Sequence, residues 1–239
     1  MADSIKKRII DAILLRAANV RRSYGFKTDI GKNIELYRVV NRTVPAISIW
    51  PEFTEITDQY KIVSRQLRLK IEGIVELEVD DDYHSIIENI EADIIEAMTG
   101  TVLDLDFTSG GDGTNVPEPG HEVVGEVSGT TGIIESVTVD SGAWGSSDAA
   151  GQFRLRRVFQ DFTSETLEIN GISDMATIPG TMARTASEDL ACGGLVEDII
   201  LIESGNVEYP EQSEVIAGCS AVFGIVFSTD RGNPYKLAT

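Results

Sequence analysis

This chain is poor in the residues that most enzymes and metal proteins depend on. Its 239 residues include two histidines and two cysteines. His84 and His121 stand far apart, and neither belongs to a His pair or a CxxC arrangement, so a zinc site has little to be built from. Both read as exposed polar residues. Without a histidine near a candidate Ser or Cys, a nucleophilic triad is equally unsupported. The glycines of "GHEVVGEVSGTTG" match neither the dinucleotide fingerprint nor the P-loop. The expectation is a protein that is not an enzyme, with no catalytic, cofactor-binding or metal residue to nominate.

Cys192 and Cys219 make no disulfide framework and read as small buried hydrophobes. No apolar run is long enough to span a membrane, and no basic stretch followed by an apolar one opens the chain. A protein made and folded in a cytoplasm, without a membrane partner, is expected. Basic residues are scarce too, 20 against 39 acids, for a net charge of −19. Residues 1–100 hold 14 of those bases and 17 of the acids, which leaves −16 for the remainder. Such a surface repels a nucleic-acid backbone and gives no footprint for sequence-specific DNA binding. It suits a solvated surface, or a channel wall to which DNA does not adhere.

Against these absences the hydrophobic patterning is strong. In "SIKKRIIDAILLRAANVRR" (4–22), Ile5, Ile9, Ile13 and Ala17 recur on one stripe of a helix, with Ile10 and Leu14 beside it. Asp3 or Ser4 can cap it and Gly25 can stop it. Lys6, Lys7 and Arg8 in its first turn oppose the macrodipole and hint at a local electrostatic partner. "IELYRVV" (34–40) and "PAISIW" (45–50) read as strands on either side of an Asn41-Arg42-Thr43 turn. Over 67–79, Leu67, Leu69, Ile71, Gly73, Val75, Leu77 and Val79 alternate with mostly charged residues, a strand of roughly 40 Å with one wet face. Ordinary strands are half as long, so part of this one is expected to project beyond the core. "DDDYHSIIENIEADIIEAMTG" (80–100) is a second helix, lined by Ile86, Ile87, Ile90, Ile94, Ala97 and Met98, with Asp80, Asp81 and Asp82 at its start.

The texture changes near 101. "DLDFTSGGDGTNVPEPGHE" shows Gly, Pro and Asp but no apolar period. Its Asp-x-Asp opening suggests a calcium loop, yet Ser109 stands at the sixth position and Asn115 at the twelfth, where glycine and glutamate belong. Short Val, Ile and Phe runs then alternate with Gly/Ser turns, as in a small all-β module. After the linker-like "GTMARTASEDLACGG" come two strands, "LVEDIILIES" and "SEVIAGCSAVFGIVFST". In the second, Val215, Ala217, Cys219, Ala221, Phe223, Ile225 and Phe227 share a face. The other face, with Gly218, Ser220 and Gly224, is thin enough for a backbone or helix to approach. The expected fold class is α+β: a small mixed or antiparallel sheet packed with two helices, interrupted by an inserted all-β domain. The core would comprise 1–103 and 187–239, and the insert 104–186.

The chain closes on "FSTDRGNPYKLAT", an apolar strand running into Arg231, Gly232, Asn233, Pro234 and Tyr235. The order "IKKRIIDAILLRAA", "VPAISIWPEFTE", "LRLKIEGIVEL", "IIENIEADIIEAMTG" and "LVEDIILIESGNVEYPEQSEVIAGCSAVFGIVFSTDRGNPYK" resembles the tail terminator (tail completion) proteins of long-tailed bacteriophages. The resemblance covers about 1–100 and 188–239. The middle departs from it and looks like a small β domain that recurs in phage structural proteins.

The resemblance implies a virion protein of the tail and neck, a ring of six identical subunits that ends tail-tube polymerisation and offers a surface for head–tail joining. Its partners would be its own copies, the tail tube protein and a neck or head-completion protein, with DNA passing through unread. Arg231 offers a rigid donor fork, Asn233-Pro234 a stiff turn and Tyr235 an amphipathic anchor, all types favoured at interfaces. These four are the expected subunit or partner contacts, with Glu76, Glu78, Asp80, Asp81 and Asp82 the expected lumen-facing acids. Two other readings stay open: another connector of the same neck, or a surface- or carbohydrate-binding module in which Trp144 and Tyr83 stack on sugars.

Overall fold

The computed structural model describes residues 3–37, 43–58, 60–78, 80–100, 102–158, 160–180, 192, 195–207 and 216–238. Within them run the helices α1 (Ile5–Ala18) and α2 (Tyr83–Thr99) and the strands β1 (Ile34–Leu36), β2 (Ala46–Asp58) and β3 (Ile62–Glu76). The chain continues through β4 (Val102–Gly110), β5 (Glu122–Gly125), β6 (Thr131–Ser141), β7 (Ala149–Arg156), β8 (Thr166–Ile169) and β9 (Ile172–Thr177), and ends with β10 (Asp198–Asn206) and β11 (Ile216–Asp230). It is a mixed α+β chain with two sheets. Two compact units divide it, one of Met1–Arg22, Phe26–Thr99 and Glu188–Thr239, the other of Ser23–Gly25 and Gly100–Ser187. A boundary at 103/104 would cut β4, which already begins at Val102.

In the first unit Ile5, Ile9, Ile13 and Ala17 are the buried stripe of α1. Ser4 Oγ accepts from the Lys7 amide at 3.3 Å. The helix stops at Ala18 with Asn19 as its cap, well before Gly25. Lys7 finds its electrostatic partners locally, Asp3 at 3.0 Å and Asp11 at 2.9 Å.

The sheet has the order β1-β2-β3-β11-β10. β1 lies parallel to β2, with Ile34 opposite Ile47, so the two are not arms of a hairpin. Most of the expected turn between them falls outside the described residues. β3 ends at Glu76, short of Leu77, and Val79 lies outside the described residues. β3 does not project alone: β11 pairs with it from Ile62↔Asp230 to Glu76↔Ile216, and β2 from Val63↔Asp58 to Ile74↔Ala46. Strand length is therefore shared by three neighbours, and sequence-distant segments meet as the middle of one sheet.

Leu67, Leu69 and Ile71 of β3, with Cys219, Ala221, Phe223 and Ile225 of β11, are fully buried on the face that α2 covers. Gly73 on this face lies against Ile90 and Ile94 of α2. Asp93, also on the buried side of α2, accepts from the Lys27 amide at 3.0 Å, the Thr28 amide at 2.7 Å and Thr28 Oγ1 at 2.6 Å. Burial pushes its carboxyl above the usual range while these donors pull it back. Arg16 of α1 donates to the carbonyls of Ala97 (3.4 Å) and Met98 (3.0 Å), satisfying acceptors that the end of α2 leaves open.

The opposite face of β11 is thin, as its sequence implies, but side chains use the space rather than a helix. Arg68 of β3 stands opposite Gly224, and its guanidinium reaches Glu52 of β2 at 3.1 Å and, across β11, Glu203 of β10 at 2.7 Å. A Cβ at Gly224 would run into Gln66 Nε2 and lie 3.3 Å from Ile202 Cδ1. One arginine thus ties three strands, while Gln66 and Ile202 fill the space that Gly224 leaves.

In the second unit the strands close into a barrel in the order β4-β7-β6-β5-β8-β9. The opening of the stretch lacking an apparent period belongs to β4, in which Leu103, Leu105 and Phe107 are buried on alternate positions. Phe107 stacks on Phe153 at 4.3 Å and on Trp144 at 5.0 Å between ring centres. Glu165 is buried in a loop of this unit and accepts from the amides of Val127 (2.6 Å), Ser128 (2.8 Å) and Thr163 (2.9 Å).

Candidate assembly surface

The C-terminal turn is bound to its own sheet. The Asn233 amide donates to the Asp230 carbonyl at 3.0 Å and Asn233 Oδ1 accepts from the Tyr235 amide at 3.2 Å. Gly232 sits at φ +77°, a left-handed conformation that glycine adopts at no steric cost. The chain then folds back, pairing Leu237 with Thr229, so that 236–238 continue the slot beside β11 that β10 occupies farther along. Pro234, which has no amide hydrogen to offer, uses its carbonyl to accept from Ile5, the first residue of α1, at 3.0 Å.

The tip of the β2–β3 hairpin meets this turn. The Arg231 amide donates to the Lys61 carbonyl at 2.9 Å, and its guanidinium lies 3.0 Å from Asp58. Lys236 pairs with Asp230 at 2.8 Å. Around these contacts stand Tyr60, 85% exposed, and Tyr235, 52% exposed. Of the four residues nominated from sequence, Arg231, Asn233 and Pro234 are thus engaged within the chain, while Tyr235 presents much of its ring to solvent. Sequence reasoning missed Asp58, Tyr60 and Lys61; a Tyr-Lys pair at the head of a long strand was the available signal.

The acids collect elsewhere. Glu76 ends β3, and Glu78, Asp80, Asp81 and Asp82 follow it, all exposed. Asp81 accepts from the Glu78 amide at 2.7 Å in the turn before α2, and Asp82 from the His84 amide at 3.2 Å in its first turn. They are not near the tail turn: β3, with 15 residues, separates the two groups by roughly 45 Å. The sheet therefore has a carboxylate end and an end where tyrosines and bases gather.

Other sequence nominees find structural roles. Asp104 and Asp106 point outward from β4 and meet Arg154 (3.1 Å) and Gln152 (2.9 Å), an arrangement for strand pairing and not a calcium loop. Trp144 is 7% exposed and packed on Phe107, so it offers no platform for a sugar; Tyr83, 39% exposed, belongs to the other unit. His121 Nδ1 accepts from the Glu118 amide at 3.2 Å, and His84 is exposed. Cys192 and Cys219 are buried free thiols, and burial pushes Cys219 up to about 11. Among the described residues no group of three or more His, Cys, Asp or Glu is placed to hold a metal ion, and no helix is long and apolar enough to cross a membrane. A depression of about 320 Å³ on the face away from α2 includes Glu52, Lys70 and Glu203, and Arg68 already engages both carboxylates.

No protein-family model and no curated protein sequence matches this chain.

Proposed function

We propose that this is a structural assembly protein of a bacteriophage tail and neck, whose copies form a ring of six that ends tail-tube growth and receives the head. The observation that carries the reading is the union of β3 and β11 along their whole length, which makes the two ends of the chain one stiff sheet. Long paired strands hold surface groups at fixed separations, as a ring of identical copies requires. The tail-terminator-like core is the unit built on this sheet, and the barrel is an inserted domain carried on the outside of the particle. Its partners are its own copies, the tube protein and a neck protein. DNA passes an acidic wall without adhering.

The test is tube elongation. Purified chain added to polymerising tail tubes caps them, and capped tubes keep a constant length by electron microscopy while untreated ones lengthen. Tubes that elongate at the same rate with and without saturating chain contradict the reading. Removing 104–186 separates it from a surface-binding function of the barrel, since rings and capping should survive the deletion.

A further inference from the structure

Resting on the ring reading, the contact between neighbouring copies can be assigned. A chain of net charge −19 repels its own copies over most of its surface. Self-association is favoured where bases gather, and the tail turn is one such place in the first unit. Lys61 and Arg231 meet there, and Lys6, Lys7 and Arg8 open the helix whose first amide binds Pro234. Tyr60 and Tyr235 add two exposed rings, the residue class that anchors interfaces. The other end of the same sheet carries five exposed carboxylates. Counting the acids paired there, Asp3, Asp11, Asp58 and Asp230, the tail end still holds six bases to four acids, and β3 fixes its separation from the acidic end.

We propose that the end bearing Tyr60, Lys61, Arg231 and Tyr235 docks against the acidic end of the next copy, at Glu78 and Asp80 to Asp82. Such a contact is heterologous, one patch against a different patch, which is the kind that propagates around a ring. An isologous contact would set Lys61 against Lys61 or Asp80 against Asp80 and be opposed by like charge. In this arrangement these carboxylates face the neighbouring subunit instead of the channel.

Two double variants test it: Glu78→Lys with Asp80→Lys, whose side chains are exposed, and Lys61→Glu with Arg231→Glu. Light scattering on each alone should show the 26.0 kDa monomer or association weakened by at least ~tenfold. Mixed one to one, they should associate again into alternating assemblies, because one native contact and one charge-reversed contact of opposite sign join them. A third variant, Tyr60→Ala with Tyr235→Ala, leaves every charge in place and should weaken wild-type association to a similar extent. Variants that still form rings like the wild type overturn this contact and leave the ring reading standing. The same holds if both double variants dissociate and their mixture stays monomeric. A wild-type chain that is monomeric at about 50 µM overturns the ring reading itself, and leaves the basic end to an acidic partner of another kind.

Discussion

Arg231 on the C-terminal turn and Asp58 on the β2–β3 hairpin meet at 3.0 Å although 173 positions separate them in the chain. Their side chains are 57% and 51% exposed. An ion pair so open to solvent contributes at most a few tenths of a kcal/mol to stability. Arg231→Ala should therefore shift the melting temperature by no more than ~2 °C. In the ring reading the same substitution weakens association, so thermal denaturation and sedimentation should respond differently. A large loss of Tm would make Arg231 a fold residue and remove it from the contact.

Asp93 should behave in the opposite way. It is 1% exposed and serves three donors of the 27–28 segment. Asp93→Ala leaves those donors unsatisfied beneath α2, at a cost of about 3 kcal/mol, read as a fall in the midpoint of denaturant unfolding. Asp93→Asn retains one acceptor oxygen and should lie between alanine and wild type.

Gln66 and Ile202 fill the space that Gly224 leaves on β11. Gly224→Val should displace both, costing about 1–3 kcal/mol. Arg68→Met, which removes the charge and keeps the stem, should cost less than the valine. Thermal unfolding of the two variants decides whether the glycine is required there; equal stability of Gly224→Val and wild type would show that it is not.

Glu165 makes the barrel unit acid-sensitive. Burial acts to raise its carboxyl, but hydrogen bonds from Ser128, Thr163 and Val127 win and hold it at about 2. A folded-state value below the ordinary 4.5 means that its contribution is complete above that pH and lost as pH falls toward 2. Glu165→Gln should lower stability at pH 7 by about 2 kcal/mol, and the gap between variant and wild type should narrow steadily below pH 4.5. A gap independent of pH would show that the charge is not what binds these amides.

The parts of the fold that were legible are those in which one face alone is buried. The Ile5, Ile9, Ile13 and Ala17 stripe and the alternation through Leu67, Leu69 and Ile71 each present that signature. β2 was legible only to Trp50, because Pro51 interrupts the pattern; the register shift between Pro51 and Thr54 lets the strand continue to Asp58. β4 was hidden by its neighbours, since Leu103, Leu105 and Phe107 alternate with acids inside a segment rich in turn residues. Asp93 is one of several acids along α2, and nothing local announces that a distant loop presents donors to it. The candidate surface was half legible: "RGNPY" marks a turn, but only the sheet register brings Tyr60 and Lys61 to it.

The most direct test of the central claim, that one rigid sheet links each copy to the next, is the native mass of the purified wild-type chain at about 50 µM. The account predicts a single closed species of six chains of 26.0 kDa each, seen as rings by negative stain. A uniform monomer at that concentration would contradict it.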